Sequence, residues 1–155
     1  MPASSINIPD APQQRIVIVG GGFGGLNLAE QLSRLDYQVV LIDKNNFHQF
    51  QPLFYQVAMA GLEPSSILFP LRKVFQKRKN VYIRVTTVTE VNSDKKEIKT
   101  YLGSLKYDRL ILAIGADTNF FGNEQIARKA FPMKTVGEAL TLRNQILYDY
   151  ERAIT

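Results

Sequence analysis

Arg15-Ile16-Val17-Ile18-Val19-Gly20-Gly21-Gly22-Phe23-Gly24-Gly25 runs without a break from an apolar stretch into a glycine turn. The five leading residues read as a buried parallel strand, and Leu26 to Leu35 reads as the helix that follows. In G-x-G-x-x-G spacing, Gly20 permits the tight turn and Gly22 lets the backbone approach a pyrophosphate. Gly25 removes a Cβ where helix packs on strand. The helix start adds unpaired N–H groups and a positive dipole end. A second strand, Tyr37 to Ile42, ends in Asp43, at the spacing where an acid meets the ribose hydroxyls of adenosine. A carboxylate there accepts both hydrogens of the diol and repels a 2′-phosphate. Strand, turn, helix and acid together predict a dinucleotide-binding unit.

The rest of the composition narrows the chemistry. At 155 residues, 45% apolar and 21% charged, the chain is long enough for one good core, and one domain is expected. There is no cysteine, which excludes disulfides, thiolate metal sites, iron–sulfur ligation and a C-x-x-C redox pair. Any redox chemistry must therefore belong to a bound cofactor. The single histidine, His48, cannot build a metal site alone, and carboxylates such as Asp43 and Glu63 show no ligand spacing around it.

The net charge is +5, with the excess concentrated in Arg72, Lys73, Lys77, Arg78 and Lys79. No nucleic-acid motif accompanies that patch, so nucleic acid is not expected as a partner. It reads as a solvated helix face, or as a face drawn to anionic lipid headgroups. Residues 1–14, with Pro2, Pro9 and Pro12 among small polar residues, read as a flexible lead-in. No apolar run approaches the roughly 18 residues of a membrane helix. The longest, Leu110 to Ala116, suits a buried strand.

Lys44 to Glu63 reads as a long irregular stretch, of the kind that carries function or fills core under a surface loop. Leu68, Leu71, Val74 and Phe75 then recur at helical spacing, with Pro70 expected in the first turn. Val81 to Val85 is a third strand, and Val88 to Lys106 alternates around turn residues as a small antiparallel meander. Tyr107 to Gly115 reads as a fourth buried strand running into a glycine. Thr135-Val136-Gly137-Glu138 has capping-box spacing before a helix whose face carries Ala139, Leu142, Ile146 and Tyr150. That pattern reaches Thr155 with no stop signal, which predicts a truncated protein.

The fold these elements predict is α/β: a Rossmann-like three-layer domain over residues 15–155, with a mostly parallel sheet, one helical layer and the β-meander on the other face. Beyond this unit, the segments Phe47 to Ala58, Asp117 to Gly122 and Phe131 to Thr135 resemble type II NADH:quinone oxidoreductases, also called alternative NADH dehydrogenases. These are flavoproteins with two dinucleotide-binding domains, and the run from Gln51-Pro52-Leu53 to Ala58 is the restricted part of the likeness.

The resemblance implies a three-layer FAD-binding domain with FAD extended across it. Its pyrophosphate would lie on Gly20, Gly22, Phe23, Gly24 and Gly25, and its ribose on Asp43 with Lys44 beside the adenosine. Val88 would meet the adenine through its backbone, Pro52 and Leu53 would lie in the loop near the isoalloxazine, and Ala113 and Gly115 would make a second contact along the flavin. Two positions depart from the family pattern: Ile114 and Met59 stand where a threonine is usual. Backbone contacts survive both changes, but a hydroxyl hydrogen bond does not.

The resemblance further implies NADH as substrate, a membrane quinone as electron acceptor, and a cytoplasmic protein peripheral at the inner face of the cell membrane, with a homodimer as one assembly. The family's second dinucleotide motif and its C-terminal quinone-binding part are absent from this chain, which alone is expected to be inactive. No residue is assigned an acid–base role. His48 reads as a loop histidine hydrogen-bonded near the cofactor, with proton transfer as the other reading. Two alternatives stand at this point: a dehydrogenase whose Gly20 to Asp43 unit binds NAD directly, and a non-catalytic dinucleotide-binding module.

Overall fold

The computed structural model describes residues 6–154. In chain order its elements are β1 (Arg15–Val19), α1 (Phe23–Leu32), β2 (Gln38–Asp43), β3 (Phe47–Gln49), α2 (Phe54–Ala58), β4 (Leu68–Pro70) and α3 (Leu71–Val74). There follow β5 (Val81–Val85), β6 (Val88–Asn92), β7 (Glu97–Thr100), β8 (Gly103–Lys106), β9 (Arg109–Leu112), α4 (Glu124–Lys129) and α5 (Val136–Ile154). The chain falls into two compact units. The first runs through His48 and resumes over Pro70–Gly115, and the second takes Gln49–Phe69 and the chain from Ala116 onward.

The first unit is built on a four-stranded parallel sheet in the order β5-β2-β1-β9. Register is set by Val17 opposite Val40 and Leu110, and by Leu41 opposite Ile83. Because side chains alternate along a strand, the β-branched runs supply two cores at once. Ile16, Ile18, Val39, Leu41 and Ile83 pack with Ala29 of α1 and with Leu71 and Phe75. Val17, Val40 and Ile42 pack with Ile98 and Leu105 of the meander. The meander is the antiparallel sheet β6-β7-β8. Helices on one face and the meander on the other make the three layers that the sequence predicts.

Four expectations are corrected in detail. Residues 1–5 of the predicted lead-in lie outside the described residues, but residues 6–14 are packed. Ile6 and Ile8 are buried in the meander-side core, and the carbonyls of Ile6, Asn7 and Pro9 accept hydrogen bonds from Arg84, Arg15 and Gln38. The predicted fourth strand is an edge, not a buried strand: β9 pairs only with β1 in the sheet order, so Leu112 is 59% exposed. Pro70 stands before the helix instead of in its first turn, because Leu68–Pro70 is strand β4 and Pro70 is the N-cap residue of α3. The stretch 44–63 is not irregular. It holds β3, a 3-10 turn over Gln51–Leu53 and α2.

The second unit packs Phe54, Val57 and Ala58 of α2 with Ile67 and Ala139, and Met133 and Leu142 close the cluster. The capping box of α5 forms as expected: the Glu138 N–H donates to Thr135 Oγ1 at 3.2 Å, and Glu138 Oε2 accepts from the Thr135 N–H at 2.8 Å. The helix face is buried at Ala139, half-buried at Leu142 and Ile146, and exposed by Tyr150.

Candidate functional site

Three strands of the first unit deliver their last residues to one place. The ladder continues past the strand ends, where the Gly20 N–H donates to the Ile42 carbonyl at 2.7 Å and the Ala113 N–H to the Val19 carbonyl at 2.8 Å. Asp43 ends β2, and Gly20 and Ala113 follow directly on β1 and β9, so all three lie at the carboxyl ends of the strands, where open parallel sheets bind ligands.

The glycines of the turn are there for different reasons. Gly20 has φ +107°, and a Cβ on it would lie 2.3 Å from the Ala113 carbonyl oxygen. A Cβ on Gly25 would lie 1.8 Å from the Gly20 oxygen. Both are required by the packing of strand, helix and Ala113. Gly22 has an ordinary φ of −70°, and a Cβ there would meet nothing within 4 Å. Gly24 likewise faces open space. The chain's own packing does not explain a glycine at Gly22, whereas a ligand lying close on the backbone does.

Gly21 holds the turn to its surroundings. Its N–H donates to Asp43 Oδ2 at 2.5 Å, while Asp43 Oδ1 accepts from the Asn45 N–H at 2.6 Å. An ionised carboxylate has about four acceptor sites, so two remain for a diol. The Gly21 carbonyl contacts His48 Nδ1 at 3.0 Å, and since a carbonyl only accepts, Nδ1 carries the proton. His48 is buried and meets the Phe23 ring edge to face, with centroids 4.9 Å apart. It braces the turn through its backbone from strand β3, and not from a loop as the sequence predicts. No side chain caps α1 at Gly22 and no acid stands in its first turn, so the first N–H groups of the helix have no side-chain acceptor. Open space over Gly22 and Gly24, together with that helix end, fits the pyrophosphate of a dinucleotide.

The structure gathers Gly20, Gly22, Phe23, Gly24, Gly25, Asp43 and Ala113 about this turn. Lys44 follows Asp43 and is exposed, Val88 opens β6 half-buried on the meander-side core, and Gly115 is exposed with φ +73°. Ile114 is 73% exposed. Pro52 and Leu53 belong to the second unit, in the 3-10 turn before α2, with Pro52 exposed and Leu53 against that unit's core. Met59, also of that unit, is exposed.

Two residues at the carboxyl end of β5 carry no sequence signal. The Thr86 N–H donates to the Asp43 carbonyl at 2.9 Å, yet the buried Thr86 hydroxyl finds no hydrogen-bond partner among the described residues. Arg84 donates from Nε to the Ile6 carbonyl at 2.9 Å, and burial first, then the charge of Arg72, push its guanidinium below the ordinary value. Among the described residues no group of three or more His, Cys, Asp or Glu is placed to hold a metal ion. No helix among them is long and apolar enough to cross a membrane.

Known proteins place this geometry. Residues 14–149 match the pyridine nucleotide-disulphide oxidoreductase family. The chain is 40% identical over 145 residues to the type II NADH:quinone oxidoreductase Ndh of Mycobacterium tuberculosis, covering 91% of this chain and 31% of that protein. It is 26% identical to the type II NADH:quinone oxidoreductase of Staphylococcus aureus, over 86% of this chain and 34% of the relative. Among solved structures, NDH2 from Plasmodium falciparum in complex with NADH superposes with a TM-score of 0.83 at 26% identity, over 92% of this chain and 30% of that one. The chain spans about a third of the length of the relatives it matches.

Proposed function

This chain belongs to the pyridine nucleotide-disulphide oxidoreductase family, and from that premise we propose that it is the FAD-binding portion of an enzyme that oxidises NADH and reduces a membrane quinone. The observation that carries the dinucleotide site is the contrast between Gly22, which nothing in the chain requires to be glycine, and Gly20 and Gly25, which the packing does require. The step from dinucleotide to flavin is supported by the 40% identity to a protein named type II NADH:quinone oxidoreductase.

On this reading the backbone of Gly20, Gly22, Phe23, Gly24 and Gly25 holds the pyrophosphate. Asp43 takes the ribose hydroxyls with the acceptor sites left over from Gly21 and Asn45, and Lys44 lies beside the adenosine. Val88 meets the adenine, and Pro52, Leu53, Ala113 and Gly115 lie along the flavin. Bound FAD supplies the hydride and electron-transfer chemistry. The chain's own work is to bind and orient: His48 and Asp43 fix the turn from opposite sides of Gly21 before any ligand arrives. NADH, the quinone, a peripheral place on the inner face of the cell membrane and a homodimer belong to the complete protein in this proposal, and residues 15–155 are its flavin-binding part.

Parallel calorimetric titrations of the chain and of Gly22→Ala with FAD and with NAD test it. FAD is expected to bind more tightly than NAD. Gly22→Ala should lose no more than about 1 kcal/mol of stability, the usual cost at a helix N-cap, while losing affinity for FAD by about tenfold or more, 1.4 kcal/mol. A preference for NAD would move the Gly20 to Asp43 unit to a nicotinamide role, and undiminished FAD binding by Gly22→Ala would remove the observation on which the site rests.

A further inference from the structure

The opposite end of the same sheet carries a second site. A cavity of about 280 Å³ opens at the amino ends of β1, β2 and β9, lined by Arg15, Gln38 and Asp108 at the strand starts and by Lys95, Lys96 and Lys106 of the meander. Its floor is built. The Arg15 side chain is 15% exposed, and it donates from Nε to Gln38 Oε1 at 2.5 Å, from Nη1 to the Lys106 carbonyl at 3.3 Å, and from Nη2 to the Pro9 carbonyl at 3.1 Å and Asp10 Oδ1 at 3.2 Å. The Asp108 carboxylate accepts from the Arg15 main-chain N–H at 2.6 Å. Both acids of the lining are thereby engaged with Arg15.

The three lysines are not. Among the described residues none of them lies within ion-pair distance of a carboxylate. Lys95 and Lys96 sit in the β6–β7 turn, which is tied to the cavity by the hydrogen bond from the Tyr107 N–H to the Lys96 carbonyl at 2.9 Å. Lys106 lies opposite Glu97 in the β7–β8 register without closing an ion pair to it. Four cations against two committed carboxylates leave the lining positive, and like charges held about one cavity repel unless an anion is shared between them.

We propose that this cavity binds a phosphate-bearing anion, held by Lys95, Lys96 and Lys106. Ammonium groups recognise phosphate as compact point charges and bond its oxygens with charge-assisted hydrogen bonds. At about 280 Å³ the cavity has room for a diphosphate or a phosphate monoester. β1 separates it from the glycine turn by five residues, or about 17 Å, so the two sites do not overlap. The phosphate belongs either to a soluble metabolite or to a lipid headgroup.

The test is the thermal stabilisation of this chain by inorganic pyrophosphate, at ionic strength matched with chloride, alongside calorimetry. The variant is Lys96→Gln with Lys106→Gln, with Lys95→Gln as a milder second, and Lys77→Gln with Lys79→Gln as the control for the chain's other basic patch. Affinity is expected to fall about tenfold or more in the double variant and to hold in the control, while the double variant without pyrophosphate melts no lower than the parent at low salt. Sedimentation with phosphatidylglycerol vesicles separates the sources: vesicle binding that the double variant loses assigns a lipid headgroup, and pyrophosphate binding without vesicle binding assigns a soluble phosphate. Pyrophosphate affinity equal in the parent and the double variant, equal losses in the control, or no binding of either probe would overturn the proposal.

Discussion

The two proposed sites, at the two ends of the parallel sheet, take anions by opposite means. At the carboxyl ends the groups offered are main-chain N–H groups in a glycine turn, positioned by Asp43, His48 and the sheet's own ladder. At the amino ends they are lysine side chains over a floor fixed by Arg15. Backbone recognition is written in spacing, because only certain residues leave room for it. Side-chain recognition is assembled from strand starts that are far apart in the sequence. The first is therefore rigid and intolerant of substitution, and the second is adjustable and dispersed.

That contrast is broken most severely at Gly25. Gly25→Ala puts a Cβ into the Gly20 carbonyl, where neither backbone can yield, and should cost about 3 kcal/mol or more. A lowered urea midpoint would show it, and an unchanged midpoint would mean that the turn is not packed as described. Asp43→Asn comes next. It keeps the shape but discharges the acceptor of the Gly21 N–H, and should remove about 1.5 to 3 kcal/mol in the same denaturation experiment. Stability unaltered in Asp43→Asn would show that the carboxylate is kept for ligand and not for the turn.

The smallest effect has the opposite sign. Among the described residues, the Thr86 hydroxyl is a buried side-chain group with no hydrogen-bond partner. Thr86→Val removes an unpaired buried hydroxyl and should stabilise the chain by about 1 kcal/mol, read as a rise of roughly 3 °C in Tm by calorimetry. A fall in Tm would mean that the hydroxyl is paired in solution.

What could be read from the sequence follows the same division. The strands around Val17 and Val40, the turn, the meander and the capping box at Thr135 and Glu138 are local patterns, and each is realised within a residue or two. Edge and centre are not local. The run Leu110 to Ile114 has the composition of a buried strand but lies at the rim of the sheet in the first unit. The short pieces between Lys44 and Glu63 fall below the length at which periodicity shows. Ile6 and Ile8, alternating with polar residues and followed by Pro9, offer too few positions to announce a core contact. His48 was legible as hydrogen-bonded but not as a residue of β3, and its partner, the Gly21 carbonyl, was not legible, since no spacing rule links positions 27 residues apart. The lysine cavity left no trace at all: Lys95, Lys96 and Lys106 are exposed and look like ordinary solvated charges, and only the fold brings them with Arg15 into one lining.

The packed segment before β1 bears on how much of this chain the first unit's core needs. The family match starts at residue 14, and a cut made there would look clean by homology. It would leave Val17, Val40 and Ile98 without the cover of Ile6 and Ile8, and Arg84 without the Ile6 and Asn7 carbonyls that absorb its charge. An apolar face and a half-buried cation would open to solvent together. A protease that trims the tail, or an expression boundary drawn from the family, would thus turn a silent surface into an adhesive one while leaving every residue of the dinucleotide turn in place.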